Sequence, residues 1–150
     1  MKNSQEELLK TIKRITNSDD IFISQINSLL DKDKKWDIKQ GKKFLENLDN
    51  ALFLAFQGKE AVGFIIAHRL QRFDKRQAGI LLYKVNVNEN FRRQGIGKAL
   101  VEAVKNWGRE TGADEVWVLT NKANIPANAL YKSTNGTAKN SDDIMYTFKL

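Results

Sequence analysis

Short apolar runs and helical stripes succeed one another along this chain, each closed off by glycine, asparagine or charge. Leu9 to Ile15 is an ambiguous first strand. Asn17-Ser18 offers an N-cap to a helix reaching about Leu30, with Ile21, Phe22, Ile26 and Leu29 at helical spacing. A second helix is predicted over Ile38 to Leu48, with Phe44, Leu45 and Leu48 as its stripe despite the internal Gly41. Ala51 to Phe56 and Ala61 to Leu70, joined by Gln57-Gly58-Lys59-Glu60, read as a β-hairpin. Arg72 to Gly79 is a charged loop.

Ile80 to Val87 is an almost continuous apolar run, as a central strand requires. Simple alternation places Ile80, Leu82, Lys84 and Asn86 on one face of it. A helix follows, with Ile96, Leu100, Val104 and Trp107 at helical spacing and an end near Gly112. Val116 to Thr120 is a further strand, Pro126 opens a short helix through Leu130 and Tyr131, and Ile144 to Leu150 is a last strand. The order is α/β, with an antiparallel front half and a βαβ back half. No repeat, low-complexity tract or linker divides residues 1–150, so one domain is expected.

Composition narrows the class. Apolar residues make up 41% and charged residues 29%, values of a globular protein and not a disordered one. No run approaches the ~18 apolar residues of a membrane span. The start, Met1-Lys2-Asn3-Ser4-Gln5-Glu6-Glu7, lacks the apolar core of a signal peptide, so a cytoplasmic location and no membrane partner are the expectation. One histidine and no cysteine give no metal site and no thiol nucleophile. The net charge of +7 suits nucleic acid or a polyanionic cofactor. The basic residues are scattered, without an aromatic-interleaved stripe, and nucleic acid is not expected as a partner. A homodimer stays open.

The most informative segment is the turn Arg92-Arg93-Gln94-Gly95-Ile96-Gly97-Lys98 between the central strand and its helix. Free amides at a helix N-terminus, with the positive end of the dipole, form a site for phosphate, and glycine lets backbone approach an anion. A dinucleotide fingerprint fails because Leu100 stands at its last small position. A P-loop fails because Ala99 follows Lys98 and Arg92 holds the first glycine position. A strand-to-helix turn with glycines for geometry alone is the other reading.

The pattern Arg92-x-x-Gly95-x-Gly97 resembles the acyl-CoA signature of the GNAT N-acetyltransferase superfamily, and Asn124-x-x-Ala127-x-x-Leu130-Tyr131 resembles its second signature. Within it, the stretch from Phe64 to Val87 followed by Arg92 to Gly97, with the ending Ile144 to Phe148, is similar to type I aminoglycoside 3-N-acetyltransferases and their relatives. The resemblance implies a mixed, mostly antiparallel twisted sheet, flanked by helices and splayed between two parallel strands. It implies acetyl-CoA as co-substrate and transfer of acetyl to an amine of a small molecule or peptide, in a ternary complex.

What the resemblance assigns to this chain follows residue by residue. Val85, Val87, Arg92, Arg93, Gln94, Gly95, Ile96, Gly97 and Lys98 are the candidate cofactor cradle, joined by Asn124 and Tyr131. Tyr131 matches the usual general acid beside the sulfur; an aromatic anchor is the alternative. Asn124 is equally a helix N-cap. The carboxylate that the aminoglycoside enzymes carry three residues before the position of Val87 is absent, and Lys84 stands there. That leaves a non-catalytic acyl-CoA-binding module as the rival reading, beside an aminoglycoside 3-N-acetyltransferase proper. His68, the only histidine, is a candidate base with an ordinary pKa of ~6.5, or else a structural residue of an apolar strand. Lys84, Asp142 and Asp143 are candidate acceptor contacts.

Overall fold

The computed structural model describes residues 11–16, 20–30, 35–138, 140 and 142–150. The strands are β1 (Ile12–Arg14), β2 (Asn50–Gln57), β3 (Glu60–Leu70), β4 (Gly79–Val87) and β5 (Glu115–Trp117). The helices are α1 (Asp20–Leu29), α2 (Ile38–Glu46), α3 (Ile96–Glu110) and α4 (Ile125–Ser133). The strands lie in sequence order in one sheet, antiparallel except for the parallel pair β4–β5. This is the mixed sheet expected. Part of the predicted first strand and the Asn17-Ser18 cap fall outside the described residues.

Alternation in β2 and β3 divides the core between the two faces of the sheet. Leu52, Leu54, Phe64 and Ile66 meet Ile26 and Leu29 of α1, with Phe44 and Leu45 of α2 beside them. Phe53, Val62 and Ile65 meet Ile96, Leu100, Val104 and Trp107 of α3 on the other side. The stripe predicted for α3 is therefore its buried face. Gly108 lets this helix lie close to the sheet, since an added Cβ would come within 3.2 Å of Ile80. Gly41 has a similar reason in α2, because the Trp36 indole occupies the space of its missing side chain.

Two expectations are corrected. Ile66 pairs with Lys84 and Ala67 with Leu82, so Tyr83 is an extra residue in β4. Such a bulge resets the alternation. Ile80 and Leu82 pack against α3, and so do Val85 and Val87. Lys84 lines a cavity on the opposite face, and Asn86 donates to Leu29 O of α1 at 2.7 Å. Lys84 and Asn86 thus do not share a face with Ile80 and Leu82.

The second correction concerns the chain end. Residues 142–150, which include the predicted strand Ile144 to Leu150, form no strand and are exposed throughout. A strand exists only through hydrogen bonds to a neighbour, and apolar alternation supplies none by itself.

Leu100 is fully buried where α3 meets the sheet. Leu100→Ala should cost about 3 kcal/mol of unfolding free energy in a urea titration. The exposed Leu70→Ala should stay within about 0.5 kcal/mol of the wild type.

Candidate functional site

β4 and β5 touch only along Gly79–Leu81 and Glu115–Trp117. Beyond that point β4 runs on to Val87, while residues 118–120 leave the sheet. The two chains diverge into a gap whose inner wall is the unpaired side of β4. At the far end of β4 lies the glycine turn.

The turn is held by three devices. The Arg92 Nε donates to Val87 O at 2.9 Å, tying the turn to the end of β4. Asn88 caps the short 3₁₀ turn Glu89–Phe91 by accepting from Asn90 N at 3.0 Å. Gly95 has φ 83°, a left-handed conformation that glycine adopts without strain. Arg93 takes φ 61° as well. The first amide to bond back along α3 is that of Ala99, to Gly95 O at 3.0 Å. The amides of Ile96, Gly97 and Lys98 precede it and face the turn, as orphan donors at a helix start do. The Ile96 side chain is buried, so only its backbone is offered. Gln94, Arg93 and Lys98 are exposed around the turn.

Gly97 has a packing role as well. A Cβ there would meet Leu130 Cδ1 of α4 at 3.3 Å, so Gly97 lets the two helices approach. Asn124 caps α4, its Oδ1 accepting from Ala127 N at 3.2 Å. Tyr131 follows on that helix, half-buried, and burial raises its phenol above the ordinary value. With Leu82, Val116 and Val118 it lines a cavity of about 270 Å³ on the α3 side of the sheet.

The opposite face carries a larger cavity, about 820 Å³, between α2 and β4. Among the described residues, Trp36, Phe44 and Tyr83 form its aromatic walls, and Lys35, Lys43, Lys84 and the carboxylate Asp37 are its charged lining. Leu82 therefore lines one cavity while Tyr83 and Lys84 line the other, with β4 as the partition.

His68 does not itself line this second cavity but touches three residues that do, Phe44, Tyr83 and Asn50. Its ring meets Phe44 and Tyr83 edge to face, each at 5.6 Å between centroids. Its Nδ1 lies 2.8 Å from Asn50 Oδ1, and Asn50 Nδ2 donates to Phe44 O at 2.9 Å. The second bond orients the amide so that its oxygen accepts, which makes Nδ1 the protonated nitrogen and leaves Nε2 a lone pair. Burial lowers the pKa of His68 below 6.5. The imidazole is thus neutral near pH 7, with one nitrogen able to accept a proton.

The sequence marks His68, Lys84 and Tyr131 without their surroundings. Trp36, Asp37, Asn50 and Tyr83 went unmarked. Tyr83 is brought into the cavity by a bulge that alternation does not reveal, and Asn50 by the strand register that sets it beside His68. Asp142 and Asp143 lie outside both cavities; Asn140 Nδ2 donates to Asp143 Oδ1, and Asp142 N donates to Asn140 Oδ1. Among the described residues no cluster of histidine, aspartate or glutamate could hold a metal ion. None of the described helices is long and apolar enough to cross a membrane.

Residues 19–136 match the acetyltransferase (GNAT) family. The chain belongs to this family. An aminoglycoside acetyltransferase from an uncultured soil metagenomic sample, solved with trehalose, superposes with a TM-score of 0.83 at 26% identity, over 93% of this chain and 95% of that one. A structure solved with sisomicin gives 0.84 at 25% identity, over the same shares. Human N-acetyltransferase 8 is 32% identical over 61% of this chain and 40% of its own length. The chain thus spans about two fifths of the curated relatives it matches. The two sequence signatures meet where Gly97 of the first packs against Leu130 of the second.

The histidine environment has a consequence for stability. A His68 pKa lowered in the folded state means that the unfolded chain binds the proton more tightly. The resulting stabilisation is complete above the unfolded value of about 6.5 and is lost as pH falls through the folded value. Urea unfolding should therefore show the wild type losing more stability between pH 7.5 and 5.5 than His68→Gln does. Equal losses would mean that His68 protonates in the fold as it does in water.

Proposed function

We propose that this chain transfers an acetyl group from acetyl-CoA to a primary amine of a small molecule or peptide, the amine attacking directly in a ternary complex. The divergence of β4 from β5 beyond Leu81, along the strand that leads into the glycine turn, carries this reading. The turn offers amides and cations to a pyrophosphate, and the gap offers the unpaired edge of β4 to an extended acyl chain. The cavities on either side of β4 give donor and acceptor separate approaches to that gap.

In this reading the amides of Arg93 to Lys98 receive the pyrophosphate, with Arg93 and Lys98 as counter-charges. Backbone near Val85 and Val87 polarises the thioester carbonyl. The amine nitrogen bonds to the carbonyl carbon, the carbon–sulfur bond breaks, and Tyr131 gives the thiolate its proton. The raised pKa of Tyr131 keeps the phenol protonated until a thiolate forms. The proton from the amine passes outward to His68 Nε2 through water, a role supported by the fixed tautomer. Asn124 steadies α4 beneath the acyl chain.

The acceptor follows from charge. The walls are aromatic, and Lys84 stands where related aminoglycoside enzymes carry a carboxylate. Two like charges ~6 Å apart repel by about 3 kcal/mol at an effective dielectric of ~20, before solvent screening. The cavity favours an amine whose other substituent is aromatic, neutral or anionic. The narrower likeness to 3-N-acetyltransferases then extends to the fold and donor side, and not to a polycationic acceptor.

Thiol release across aminoglycosides, polyamines, amino acids and peptides tests this. Amino acids or peptides should be turned over in preference to aminoglycosides, and Lys84→Asp should shift the ratio toward cations by about tenfold. Tyr131→Phe should lower kcat about 100-fold with KM for acetyl-CoA nearly unchanged. Binding of acetyl-CoA without turnover of any amine would favour the acyl-CoA-binding module instead.

The two glycines separate cradle from packing. Gly95→Val places a β-branched residue at positive φ, and calorimetry should show acetyl-CoA affinity falling at least tenfold. Gly97→Ala asks only Leu130 to shift by a few tenths of an ångström. It should retain affinity within about threefold. Equal affinities for all three proteins would remove the cradle assignment.

A further inference from the structure

The chain carries a primary amine of its own beside the gap. Lys84 is half-buried on β4, where it lines the cavity of about 820 Å³ together with Tyr83 and Ile66. It follows the bulge at Tyr83 and lies past Leu81, where contact with β5 ends. Val85, the next residue, packs on the opposite face, toward α3. Lys84 is therefore rooted in the strand that forms the inner wall of the gap. Its side chain enters the cavity from which, in the proposed reaction, an acceptor amine approaches.

Position separates Lys84 from the other lysines. Lys43 of α2 and Lys35 just before that helix line the same cavity from its other side, and both are exposed. Lys105 lines the smaller cavity, on the opposite face of the sheet. Neighbouring residues of a strand lie about 3.3 Å apart, and a lysine carries its amine on a flexible four-carbon stem. A thioester held along the edge of β4 beside Val85 is within that reach. An amine tethered at the site also reacts as an intramolecular partner, without the translational and rotational entropy that a free acceptor loses.

We propose that Lys84 is a self-acetylation site, its Nζ taking the acetyl group of acetyl-CoA bound to the same chain, a proposal that rests on the acetyl-transfer reading of this gap. The nitrogen–carbon bond forms, the carbon–sulfur bond breaks, and the thiolate leaves as CoA thiol with a proton from Tyr131. The proton shed by the amine passes through water to His68, which touches the neighbouring Tyr83. Exchange with solvent resets both groups, so acetyl-CoA is the only reactant consumed. The product is an uncharged amide, and the cavity loses a cation. A cationic acceptor then meets less repulsion, so the modification alters which amines the cavity admits.

The full chain incubated with acetyl-CoA and no added amine should gain acetyl on Lys84, read by peptide mass spectrometry, about tenfold or more faster than on Lys35 or Lys43. The rate constant should hold over a roughly 100-fold dilution of the protein, as transfer within one molecule requires. Excess CoA should slow the reaction at limiting acetyl-CoA, because both compete for the glycine turn. Lys84→Arg should remove this acetyl without moving it to Lys35 or Lys43. Protein acetylated beforehand should turn over aminoglycosides relative to amino acids about threefold better than fresh protein, since neutralising Lys84 is half the charge change of Lys84→Asp. Turnover of an added amine with Lys84 unmodified would overturn self-acetylation alone and leave the transferase reading standing. Acetyl spread evenly over Lys35, Lys43 and Lys84, a rate constant that rises with protein concentration, indifference to CoA, or an acceptor ratio untouched by the modification would overturn it too. No thiol release under any of these conditions would end both readings.

Discussion

One extra residue in β4 organises the centre of this molecule. Tyr83 has no partner in β3, and a bulge of this kind bends its strand and increases the local twist. Contact with β5 ends at Leu81, two residues before it. The bulge also sends Tyr83 and Lys84 into the same cavity while Val85 and Val87 return to the core. A regular strand would keep Lys84 on the face of Ile80 and Leu82, against α3. The gap and the placing of Tyr83 and Lys84 in the larger cavity therefore share one structural origin.

The signature residues divide between chemistry and support. Gly95 shapes the backbone and Arg92 fastens it to Val87, so that the amides at the start of α3 face outward. Gly97 serves the contact between α3 and α4, and Asn124 starts α4. These supports hold Tyr131 and the amide cluster on rigid elements. A binding constellation has to be positioned to within about half an ångström to be effective, and packing and caps achieve that.

The larger cavity combines charge with aromatic walls. Lys35, Lys43, Lys84 and Asp37 are its charged lining among the described residues, and the neutral His68 touches its Phe44 and Tyr83. Asn50 fixes the orientation of that imidazole through its own bond to Phe44 O. The chain's net charge of +7 is consistent with a polyanionic donor, but the local arrangement decides what else can enter.

Elements with a strong local pattern were legible from residue order. The stripe of α3, the β2–β3 hairpin and the strand-turn-helix at Gly95 follow from spacing and turn chemistry, because the interactions that specify them lie within a few residues. The two signatures pointed to the family that residues 19–136 match. The facing of Lys84, the pairing of His68 with Asn50 and the walls of the larger cavity were not legible. Each depends on which strand lies beside which and in what register, a contact between residues far apart in the chain. The segment 144–150 marks the boundary most clearly. Its alternation describes a strand, but hydrogen bonds to a neighbour make one, and only the tertiary structure decides whether a neighbour is there.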